Sequence, residues 1–277
     1  MIEKFRTALW FAQRPSHWAQ AMELGARMFR PDRDGPVEAA KARAWAGARA
    51  VPVAEALAAV GVPGAVPEID RALIAEAEEL GRKAAVAMGG PGDINLLYAA
   101  VRLTGARRVV ETGVAYGWSS LAILSAFDGM EDRRLVSVDM PYPKMGNDAF
   151  VGIVVPERLR APWTIIREPD RRGLKKAIRA AGGPLDLCHY DSDKSWYGRR
   201  YGFPLLWDAL APGGLFVCDD IQDNMAFAED MERLRAPFAV TAYANKFVGV
   251  VRKPGCAGGS KGLASSAAAV ATTPAGK

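Results

Sequence analysis

The sequence of 277 residues predicts a doubly wound α/β fold: a mostly parallel seven-stranded sheet covered by helices, with a C-terminal antiparallel hairpin and an N-terminal helical annex. Three observations predict it. Short segments rich in β-branched residues, Arg108–Thr112, Leu135–Asp139, Thr164–Arg167, Leu185–Tyr190 and Leu215–Cys218, alternate with stretches of crossover length such as Ser119–Phe127 and Arg172–Ala180. Two more, Ala239–Ala244 and Phe247–Val251, are separated only by Asn245-Lys246, the spacing of a hairpin. The first strand runs into a Gly-x-x-x-Gly turn and the second ends on Asp139, which places polar chemistry at the carboxyl edge of the sheet.

Residues 1–66 read as the annex. From 16 to 60 the chain is rich in Ala, Glu, Arg and Leu and is cut by Pro31, Pro36 and Pro52, so short helices joined by turns are expected. Trp10, Trp18 and Trp45 either pack this annex on the main domain or face a substrate. The main domain is expected over 67–253. Ile69, Leu73, Ala77 and Leu80 recur at helical spacing and predict a helix over 67–88, stopped by Gly89-Gly90-Pro91-Gly92. Asp93 caps a second helix that ends near Gly105. The tail 254–277, made of Gly, Ala, Ser and Thr, is expected to be disordered.

Half of the residues are apolar and 24% are charged, and no apolar run reaches the roughly 20 residues of a membrane span. Of the net charge of +5, Arg252, Lys253, Lys261 and Lys277 contribute four with no acid among them, so the body is near neutral. A general nucleic-acid surface is therefore not expected. The odd set Cys188, Cys218 and Cys256 lacks metal-ligand spacing and suits a reducing compartment; with no signal-like opening, a cytoplasmic protein is expected.

In Val109-Val110-Glu111-Thr112-Gly113-Val114-Ala115-Tyr116-Gly117-Trp118-Ser119 a strand meets two glycines and a helix start, where free N–H groups face outward and Gly113 allows close backbone approach. Asp139 can accept two ribose hydroxyls. The spacing is not the dinucleotide fingerprint, so a nucleoside cofactor without a pyrophosphate fits better. The segment Val110–Ser119 resembles the first motif of class I S-adenosylmethionine-dependent methyltransferases, and Val138-Asp139 resembles their second. The resemblance implies that Glu111, Thr112, Gly113, Ala115, Tyr116 and Gly117 hold the methionine part, Asp139 the ribose and Asp170 the adenine side, with Ser119 also among the cofactor-binding residues. Asp170 has a second reading as a helix cap.

Two acidic runs, Tyr190-Asp191-Ser192-Asp193-Lys194 and Cys218-Asp219-Asp220-Ile221, end the next two strands. If the strands are neighbours, three carboxylates converge, and such oxygen ligands suit Mg²⁺. The layout is similar to metal-dependent O-methyltransferases of the catechol type, and more closely to the bacterial group of macrolide-sugar O-methyltransferases and cephalosporin-hydroxylase-like proteins. The resemblance, over about residues 90–251, implies Asp191, Asp219 and Asp220 as metal ligands. Where that bacterial group commonly reads Asp-Gly-Asp-His, this chain has Lys194; the catechol type carries lysine at the equivalent spacing. Lys194 is then either a base, with Asp191 beside it, or a salt-bridge partner.

The expected activity is magnesium-assisted methyl transfer from S-adenosylmethionine to a hydroxyl of a small secondary metabolite or sugar, with homo-oligomerisation left open. Two alternatives stand: a different reaction, as in the hydroxylase-like relatives, or a noncatalytic subunit that keeps the cofactor pocket. Residues 140–150 and Ser195–Tyr201 are candidate substrate walls. Of the two histidines, His17 lies in the annex and His189 within the fourth strand, where it packs or joins the site.

Overall fold

A computed structural model describes residues 9–141 and 146–255; the predicted disordered tail from 256 onward and residues 142–145 of the first predicted wall lie outside the described residues. The N-terminal part holds α1 (Trp18–Arg27), α2 (Pro36–Gly47) and α3 (Val53–Ala59). Proline opens two of them, Pro36 as the first residue of α2 and Pro52 as the cap of α3, where the missing N–H costs nothing. Next come α4 (Arg71–Gly81) and α5 (Ile94–Thr104).

The α/β region then runs β1 (Arg108–Thr112), α6 (Trp118–Ala126), β2 (Arg134–Val138), β3 (Trp163–Ile166), α7 (Asp170–Ala180), β4 (Leu185–Tyr190), α8 (Trp196–Ala209), β5 (Leu210–Cys218), α9 (Ala226–Leu234), β6 (Phe238–Tyr243) and β7 (Lys246–Arg252). The strands form one seven-stranded sheet in the order β3-β2-β1-β4-β5-β7-β6. β1 to β5 are parallel, and β7 pairs antiparallel with both β5 and β6. This is the predicted architecture.

Period-two alternation divides the core between the faces of the sheet. Val109, Leu187, Leu215 and Val217 pack with α5, α6 and α3; Val110, Cys188, Phe216 and Cys218 pack with α7, α8 and α9. The annex contributes to both clusters and also covers an edge. Val51 N donates to Val240 O at 2.9 Å, so the outer strand β6 carries a partner on its free side. Trp45 stacks on Phe238 and meets Phe227 edge-on, which makes it a packing residue.

Three boundaries differ from expectation. The helix over 67–88 is confined to Arg71–Gly81: Asp70 caps it through Ala72 N, and at the far end Tyr116 takes the backbone of Val86 and Met88 into its own hydrogen bonds. The hairpin turn is Ala244-Asn245, one residue earlier than predicted, since Tyr243 pairs with Lys246 and Ala244 adopts φ +52°. β5 starts at Leu210, because Pro212-Gly213-Gly214 is absorbed as an irregularity in the pairing with β4.

Candidate active site

The order of strands reverses between β1 and β4, and the carboxyl ends of these and their neighbours carry the polar groups. Gly113 N donates to Val138 O and Asp191 N to Thr112 O, so the turns after β1 and β4 are tied across the switch point. Gly113 (φ +81°) is packed so closely that a Cβ would collide with the carbonyl of Asp191. A contact within the protein therefore already requires glycine here.

Asp139, after β2, is 4% exposed and accepts from Val114 N at 2.8 Å; its other oxygen pairs with Arg167, which also binds Asp148. A cavity of about 390 Å³ extends from there. Gly113, Val114, Ala115, Asp139, Met140 and Asp170 line one part, and Asp191, Lys194 and Tyr201 line another. Phe11, Gln20 and Leu24 of the N-terminal region form a further wall. Among the described annex residues, these three line the cavity and the tryptophans do not.

Asp170 is half-buried in this wall with its carboxylate on the Ser192 hydroxyl, and desolvation pushes its pKa up to about 6. It begins α7 without capping it through its side chain. Asp191 is likewise raised to about 6, by burial and then by repulsion from Asp219. The Lys194 amine lies 3.0 Å from Asp191 Oδ1 and also binds Asp220 Oδ2, while Lys246 stands 3.5 Å from Asp220 Oδ1. Burial opposes the charge on Lys194, yet the two carboxylates outweigh it and hold the amine well above its ordinary pKa. The same contact keeps Asp220 below the usual carboxylate range despite its burial.

Residues 110–221 match the family model described as a methyltransferase domain, a span that runs from β1 to just past Asp220. Among solved structures, the chain is similar to an O-methyltransferase from Bacillus cereus crystallised with SAH (17% identity, TM-score 0.54, covering 73% of this chain and 97% of that one). It is also similar to the SAH-bound methyltransferase PaMTH1 from Podospora anserina (17% identity, TM-score 0.50, covering 67% and 88%). The chain has the fold of the class I methyltransferases. No curated protein matches it in sequence.

Within this fold the predicted cofactor residues separate. Gly113, Ala115, Asp139 and Asp170 line the main cavity, and Ser119 lines a smaller one beside Asp219 and Lys246. Glu111, Thr112, Tyr116 and Gly117 line neither. Glu111 is fully buried, accepts from Ser120 and Ser137, and faces His189 Nδ1 at 3.6 Å. Thr112 accepts from Ser192 Oγ at 3.0 Å, and a Cβ at Gly117 would press on Gly152 Cα at 2.9 Å. These four build the turn from behind.

His189 also places Nε2 3.5 Å from Asp219 Oδ1, so an imidazole links a residue of the first motif to the acidic run after β5. Its position opposite Glu111 in the β1–β4 register is the signal that sequence reading left unused. Of the second predicted wall, Tyr201 reaches the cavity. Arg199 is buried, holding Asn224 and the carbonyls of Asp219 and Asp220, and Arg200 pairs with Glu229 and Asp230. Trp196 and Tyr197 instead meet the annex, through Asp34, Pro31 and Arg33.

The donor set for S-adenosylmethionine fits: a buried carboxylate after β2 and a cavity that continues from it to the acidic run after β4. The donor set for magnesium does not fit as arranged. Asp191, Asp219 and Asp220 do converge, but Lys194 lies between Asp191 and Asp220, and no group of three His, Cys, Asp or Glu among the described residues stands where it would hold a metal.

Proposed function

We propose that the chain is an S-adenosylmethionine-dependent O-methyltransferase whose acceptor is a small hydroxyl-bearing molecule, a secondary metabolite or a sugar. The observation that carries this reading is the single cavity joining Asp139 to Asp191 and Lys194. Asp139 would take the ribose, the Gly113–Ala115 turn the methionine part and Asp170 the adenine side. S-adenosylmethionine supplies a methyl group activated on a sulfonium.

The acceptor oxygen forms its new bond to carbon as the sulfur–carbon bond breaks, leaving S-adenosylhomocysteine and releasing the hydroxyl proton. Lys194, held protonated by its two carboxylates, is unsuited to take that proton. Asp191 lines the cavity with a carboxyl raised to about 6 and is the better acceptor. Orientation of the hydroxyl between these side chains and the methyl group does the rest. The magnesium ion implied by the resemblance would have to displace Lys194.

The test is incubation with S-adenosylmethionine and a panel of small polyols, phenols and sugars. Acceptor-dependent formation of S-adenosylhomocysteine and a methyl ether product is expected. Asp191→Asn should lower turnover by about 10²- to 10⁴-fold while cofactor affinity stays within a few-fold. Methylation at nitrogen or carbon, or full activity in Asp191→Asn, would refute the reading.

A further inference from the structure

We infer that Lys194 is the site's built-in cation, occupying the position between Asp191 and Asp220 that a divalent ion would otherwise fill, so that methyl transfer here needs no metal. The inference deepens the O-methyltransferase reading and rests on it for its catalytic part.

Each carboxylate of the cluster already has a positive or positively chargeable partner. Asp191 has the Lys194 amine at 3.0 Å, Asp220 has Lys194 and, at 3.5 Å, Lys246, and Asp219 has the ring of His189 at 3.5 Å. A magnesium ion needs oxygens at about 2.0–2.1 Å in near-octahedral array, and an ammonium between two of those oxygens leaves no room for it. Repulsion between the two cations would add to the cost.

The amine is also not on a loose segment. Asp191 N donates to Thr112 O at 2.9 Å, the Tyr190 hydroxyl to Asp193 O at 2.9 Å, and Asn224 Nδ2 to the Lys194 carbonyl at 2.8 Å. Arg27 grips Asp193 Oδ2 at 2.7 Å and the Ser195 hydroxyl at 2.7 Å on either side of Lys194. The backbone that carries the lysine is therefore anchored from β1, from α1 and from the start of α9. Because Lys194 lines the cavity beside Asp191, its N–H groups can hold the acceptor oxygen and balance negative charge as the proton leaves, which is the electrostatic part of a metal's role. Such an amine is a compact point charge with several donors.

The experiment is Mn²⁺ titration of the full-length protein, followed by electron paramagnetic resonance and calorimetry, with Lys194→Met and Lys194→Gln alongside. Wild type should take up no stoichiometric Mn²⁺ at millimolar ion. Each variant, with Asp191 and Asp220 released from the amine, should gain one site, and Mg²⁺ should raise the melting temperature of the variants only. Chelator should leave wild-type turnover within twofold.

One Mn²⁺ per wild-type chain, lost in Asp191→Asn, would overturn the inference. So would loss of turnover on chelation, or failure of a folded variant to gain binding. If one variant does not fold, as judged by circular dichroism, the other and the wild type still decide. Metal uptake is read without turnover, so a wild type that binds no metal and methylates no hydroxyl counts against the O-methyltransferase reading alone.

Discussion

His189 stands between two carboxylates from different parts of the sheet, Glu111 of β1 and Asp219 after β5, with both ring nitrogens facing an acid. Burial alone would lower its pKa, but the two acids prevail and raise it to about 10. The folded protein therefore keeps this proton over a range in which the unfolded chain has lost it, and that linkage stabilises the fold below pH 6.5 and fades as pH rises through about 10. Melting temperature should fall as pH is raised through that window, and His189→Gln should start lower and show a flatter slope. Equal slopes for both proteins would refute the charged state. Much at this scale was legible. Asp139, Asp191, Asp219 and Asp220 end their strands as the acidic spacing predicted. Glu111 was assigned to the cofactor because motif position outweighed alternation. It shares the face of Val109 and points into the protein, opposite His189.

α1 shows what one element adds to a site formed at the strand ends. Arg27 reaches Asp193 and Ser195, Glu23 binds Arg171 at 2.8 Å, and Gln20 and Leu24 line the cavity. The Arg27–Asp193 pair is largely buried and charge-assisted, an interaction of about 1.5–3 kcal/mol when one partner is removed. If α1 orders the acceptor wall, Arg27→Ala should raise acceptor KM by about tenfold, equivalent to roughly 1.4 kcal/mol, with a smaller change in the affinity for S-adenosylhomocysteine. A change confined to cofactor affinity would place α1 elsewhere in the cycle. Prolines and the Asp93 cap made the helices readable, and Gly105 ends α5 in the left-handed conformation as predicted. Long-range contacts were not readable. The segment after Gly81 leaves the helix to meet Tyr116, a partner far along the chain that no local pattern announces.

At the scale of the whole molecule, the mostly parallel sheet and its terminal hairpin were legible because alternating strands and crossovers leave few ways to wind, whereas the closing of the cavity by the N-terminal region depends on pairs such as Arg27 with Asp193, far apart along the chain. Ligand binding at the edge of such a sheet should stabilise the entire fold. At a hundred times its dissociation constant, S-adenosylhomocysteine contributes about 2.7 kcal/mol, and each kcal/mol moves the melting temperature of a domain this size by roughly 2–4 °C. A rise of about 5–10 °C is expected for wild type. In Asp139→Asn, a tenfold loss of affinity at the same ligand concentration should about halve that rise. The ligand-free melting temperature should also drop, because Asp139 holds the Val114 N–H and Arg167 in addition to its proposed ribose contact. The shift on adding ligand, not the absolute temperature, therefore carries the information. An unchanged shift in Asp139→Asn would mean that this carboxylate serves the fold and that the ribose is held by other groups.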